Sequence, residues 1–89
     1  MTVPSEILQT AIRLIDGDRA KSHGPYLENH ENIAKLWSAY LGVEITARHA
    51  AMMLVLLKVA RTMTGEHNRD DYADAAGYLA LAWAIAERG

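Results

Sequence analysis

A chain of 89 residues with 51% hydrophobic and 22% charged side chains has the composition of one small globular domain, not of a disordered segment. Its net charge of −2, with basic residues scattered singly, argues against general nucleic-acid or membrane-surface binding. The absence of cysteine excludes disulfides, thiolate zinc sites and cysteine nucleophiles.

The start, "MTVPSEILQTAIRLIDGD", lacks the basic opening and long apolar core of a signal peptide. The longest strictly apolar run, "AAMMLVLL" at 50–57, is too short to span a bilayer. A cytoplasmic protein without membrane contact is therefore expected. The first helix is predicted from Pro4 and Ser5, with Ile7, Leu8, Ala11, Ile12 and Ile15 at helical spacing and Gly17 as its stop. The polar, turn-rich "DGDRAKSHG" that follows is a loop. A second helix opens at Gly24-Pro25, proline being preset for a first-turn position, and carries the stripe Ile33, Leu36, Trp37, Tyr40 and Leu41 as far as Gly42.

Thr46 is the predicted N-cap of a third helix reaching about Met63. It is apolar nearly all round from Ala50 to Leu57 and is expected to be central and most buried. The fourth begins at Asn68 or Arg69, where Asp70 and Asp71 suit the positive end of the helix dipole, and runs through "YADAAGYLALAWAIAER". "VEI" at 43–45 is too short for a strand of consequence, and no internal repeat is present. The expected fold is an all-α compact bundle of four helices forming a single domain over 1–89. A homo-oligomer is expected too, because so short a chain cannot cover its third helix and the alanine-rich face of its fourth.

The charges around the third loop pose the functional question. Five to seven residues favour an antiparallel helical hairpin, which would bring Lys58 and Arg61 opposite Asp71 and Asp74. That arrangement is an ionic clasp, since a lysine in so apolar a helix needs a partner. The alternative is a site in which the aspartates hold a divalent ion and the cations receive phosphate. Glu28 and Glu31 form a second carboxylate pair, either helix-start acids or further metal ligands, with Asn29 as a polar partner or simple cap. His23, His30, His49 and His67 lack metal-ligand spacing. Gly77, inside the fourth helix, suggests close packing by a neighbouring helix. Trp37, Tyr40, Tyr78 and Trp83 are expected in the core or at a subunit interface.

The stretches "DGDRAKSHGPYLENHENIAKLWSAYLG", "ITARHAAMMLVLLKVAR" and "RDDYADAAGYLALA" together resemble a family of small phage and prophage proteins of unknown function. Positions matching its pattern include Asp18, Arg19, Gly24, Asn29, Trp37, Lys58, Arg61, Asp71, Asp74, Gly77 and Tyr78. This chain departs from it at His23, where a tyrosine is expected, and at His49, where an acid usually follows the threonine cap. More distantly, the hairpin is similar to that of MazG-type all-α nucleoside triphosphate pyrophosphohydrolases, whose E-x-x-E and E-x-x-D helices hold magnesium. Asp71 and Asp74 match the second motif. The first fails on the third helix, which offers His49, Met52 and Met53, while Glu28 and Glu31 have the spacing one helix too early.

The resemblance implies an all-α protein encoded by a bacteriophage or integrated prophage. The function expected first is a phage accessory protein that binds a host factor or a nucleotide without turnover, inhibition of a bacterial defence system being one form. A magnesium-dependent pyrophosphohydrolase and a structural or assembly protein are the alternatives. In the enzymatic case Asp71 and Asp74, helped by Glu28 or Glu31, would hold magnesium, with Lys58, Arg61 and Arg19 steadying phosphates.

Overall fold

The computed structural model describes residues 2–17 and 25–88. Four helices account for most of them: α1 Ser5–Asp16, α2 Tyr26–Leu41, α3 Ala47–Arg61 and α4 Arg69–Arg88. No strand occurs among the described residues.

Local chemistry sets the helix ends. Pro25 lies immediately ahead of α2 and not within its first turn, at φ −60° and ψ 131°. Gly42 closes α2 with a left-handed φ of 74°, its N–H donating to the Ser38 carbonyl. Ser38 then ties down the connection to α3. Its Oγ accepts from the Ile45 N–H at 2.8 Å and donates to the Ile45 carbonyl at 3.2 Å. Thr46 caps α3 as expected, its hydroxyl accepting from the His49 N–H at 3.1 Å. Helix α3 ends at Arg61, two residues short of the predicted Met63. At the start of α4, the Asn68 side chain accepts from the Asp70 N–H at 2.9 Å.

Helix α4 packs along α3 and also against α1, while α2 packs on α3. The centre of the molecule is thus the α3–α4 hairpin. The core is built mainly on small residues: Ala11, Ala34, Ala50, Ala51, Ala73 and Ala82 are buried, joined by Ile85. Ala51, Ala82 and Ile85 meet, with Tyr26, Leu27, Ala47 and Met52 packed around them. Alanine contacts let helix axes approach closely but remove little apolar area from water per residue.

One expectation about burial needs correction, and a second is narrowed. Helix α3 is central, lying between α2 and α4, yet only Ala50 and Ala51 of it are buried, and Leu56 and Leu57 are exposed. Most of the buried residues belong to α4 instead. Trp83 and Tyr40 are exposed, at 66% and 89%, so neither is a core residue of this chain. Trp37 and Tyr78 are half-buried. No described helix is long and apolar enough to cross a membrane.

Candidate functional site

The hairpin brings the two charge pairs together in antiparallel register. Lys58 Nζ lies 2.9 Å from Asp74 Oδ2, and Arg61 Nε lies 3.5 Å from Asp71 Oδ1. One turn back along α3 therefore meets one turn forward along α4. The pairs differ in environment. The Asp74 and Lys58 side chains are only 4% and 15% exposed, whereas Arg61 is 59% exposed over a buried Asp71. Asp70, the third acid of the stretch, is exposed at the helix start.

The second carboxylate pair does not join them. Glu28 and Glu31 are exposed on α2, and Asn29 between them is half-buried. Among the described residues no three histidine, aspartate or glutamate side chains are grouped to hold a metal ion. Arg19 and His23, with Asp18 and Gly24, lie outside the described residues.

Two features escaped the reading of the sequence. His30 is 2% exposed, the largest fully buried side chain among the described residues. Its Nδ1 sits 2.7 Å from the Tyr26 carbonyl, which can only accept, so Nδ1 carries the proton. Nε2 is buried without a hydrogen-bond partner among the described residues, and the ring stands edge-on to Tyr78 at 6.4 Å. The signal was present: His30, Ile33, Ala34 and Trp37 recur at the spacing of one helix face. The second feature joins α1 to α4. The Thr10 hydroxyl accepts from Arg13 at 3.2 Å and Arg69 at 3.0 Å while donating to the Glu6 carbonyl. This contact links residues 59 apart in sequence, and no periodicity announces it.

Residues 6–86 match a domain of unknown function, DUF6378. The chain belongs to this family. Among its relatives is the Gene 55 protein of Mycobacterium phage L5, 49% identical over 76 residues, covering 84% of this chain and 49% of the relative. The Gene 55 protein of Mycobacterium phage D29 is 41% identical over 81 residues, covering 91% of this chain and 54% of the relative. The chain thus spans about half the length of the curated relatives it matches. No solved structure matches it significantly. The kinship with phage proteins of unknown function, expected from the sequence, is thereby shown for the DUF6378 chain.

Proposed function

We propose that this DUF6378 domain is a phage accessory protein that acts by binding a host factor or a nucleotide, without turnover. The observation that carries this reading is the sheltered Lys58–Asp74 ion pair. An aspartate committed to a lysine at 2.9 Å is a poor magnesium ligand, because the ion would have to displace a charge-assisted hydrogen bond already formed out of water. Asp71 faces Arg61 at a longer 3.5 Å, and the glutamates of α2 stand apart and exposed. Catalysis through magnesium needs several carboxylates converging on the ion and on the attacking water. Kinship with phage gene products makes inhibition of a bacterial defence system one concrete form of such binding.

The MazG-type pyrophosphohydrolase is the second reading. One observation favours it: two acids three residues apart on one helix face two cations on the next, the grouping that a phosphate with its magnesium would use. The longer Arg61–Asp71 contact, at 3.5 Å, is the one an ion could open. Pyrophosphate release across the common ribo- and deoxyribonucleoside triphosphates, with magnesium or manganese, separates the two. Background rates are expected, with a thermal-shift response to a nucleotide or to none. Turnover that disappears in Asp74→Asn while helicity is kept would establish the enzyme and overturn the binding reading.

A further inference from the structure

The chain exposes far more surface than its mass warrants. Its accessible area is 6437 Å² for 9.8 kDa, against about 5,200 Å² for a compact monomer of that size. The excess of roughly 1,200 Å² is larger than the ~800 Å² that each partner of a stable complex ordinarily buries. Much of what is exposed is apolar, and the outer face of α3 is its most uniform part. Met53, Leu56, Leu57 and Val59 are 37%, 64%, 50% and 46% exposed, Ala60 lies among them, and Met63, just beyond the helix, is 77% exposed. The two charged residues of this segment, Lys58 and Arg61, are turned to Asp74 and Asp71 on α4. The stripe of Met53, Leu56 and Ala60 itself carries no charge, and the exposed part of Arg61 borders it at the C-terminal end of α3.

The geometry points to a second copy of this chain as the occupant of that face. Met53, Leu56 and Ala60 follow one another on α3 at intervals of three and four, the spacing of a helix–helix seam. A charge-free apolar stripe is complementary to itself, which is what a two-fold interface requires, because the same patch serves both partners. Two α3 helices pack antiparallel along the stripe, with Ala60 allowing close approach and the leucines and methionines interleaving beside it. The ion-paired cluster lies on the opposite side of α3 and takes no part, so this inference stands apart from the question of turnover.

The test is sedimentation equilibrium across the micromolar range. The expected mass is twice 9.8 kDa. Leu56→Glu should return the mass of one chain with helicity by circular dichroism unchanged, while Trp83→Glu, on the outside of α4, should leave the dimer intact. Because the chain has no cysteine, a second measurement remains clean even if Leu56→Glu disturbs folding. Leu56→Cys, near the middle of the stripe, should give a covalent dimer on mild oxidation, and Trp83→Cys should not. A wild-type monomer over the whole range would overturn the proposal, leaving the face to another protein or to further residues such as those of the longer relatives. Dissociation by Trp83→Glu with Leu56→Glu still dimeric would move the interface to α4 and overturn it as well.

Discussion

Lys58 and Asp74 lock the α3–α4 hairpin through an ion pair of 2.9 Å that is almost wholly sheltered from water. A pair in such a place does not necessarily add stability over two apolar residues, since both charges were desolvated to form it. Its removal by halves is another matter. Asp74→Ala leaves an ammonium in an apolar helix face and is expected to cost roughly 3–5 kcal/mol in urea or thermal unfolding. Replacing both residues, as in Lys58→Met with Asp74→Leu, should restore most of that loss. If Asp74→Ala unfolds at the same midpoint as wild type, the pair has no structural role.

The neighbouring pair should behave differently. Arg61 is 59% exposed and meets Asp71 at 3.5 Å, so its contribution is screened by solvent. Asp71 also has the positive end of the α4 dipole to stabilise it, being in the first turn of that helix. Arg61→Ala is therefore expected to cost less than about 1 kcal/mol. Comparing its unfolding midpoint with that of Asp74→Ala gives the ranking directly, and a larger loss for Arg61 would mean that the sheltering of Lys58 has been misjudged.

The hairpin and its pairing were legible in the sequence because they rest on short-range rules. A threonine cap, glycine stops, a short loop and charges spaced three apart leave few arrangements for Lys58, Arg61, Asp71 and Asp74. Burial was less legible, for a physical reason. When Ala50, Ala51, Ala73 and Ala82 form the contact, the large side chains of the same helices are turned outward, as Leu56, Leu79 and Trp83 are. A helix apolar on several sides does not announce which side meets its neighbour. The separation of Glu28 and Glu31 from the aspartates is similarly tertiary, fixed by where α2 packs on α3 and invisible to spacing along the chain.

Gly77 offers a check on the packing itself. It is buried in α4 beneath α1, and close helix packing against its missing side chain was the expectation. A Cβ built there meets Ile15 Cγ1 at 3.8 Å, an ordinary van der Waals distance, and nothing nearer among the described residues. The site therefore admits a methyl group. Alanine is the better helix former by about 1 kcal/mol, so Gly77→Ala is expected to raise stability by about 0.5–1 kcal/mol. A loss instead, seen as a lower thermal midpoint, would show that the α1–α4 contact is tighter than this geometry.

His30 gives the sharpest contrast between two substitutions. Its ring is fully buried, one nitrogen donates to the Tyr26 carbonyl, and Nε2 has no hydrogen-bond partner among the described residues. An unsatisfied buried nitrogen costs about 1–3 kcal/mol. A ring of similar size without it should therefore be tolerated. His30→Phe keeps the edge-on contact with Tyr78, gives up the Tyr26 bond and removes the orphan nitrogen, so the opposing terms nearly cancel. Its stability is expected within about 1 kcal/mol of wild type. His30→Ala empties the space between α2 and α4 and should cost about 2–4 kcal/mol through the cavity it leaves. Both are measured by urea unfolding of the purified chain. If the phenylalanine variant falls as far as the alanine variant, Nε2 is not idle in solution: it holds a water or a ligand that the folded protein needs.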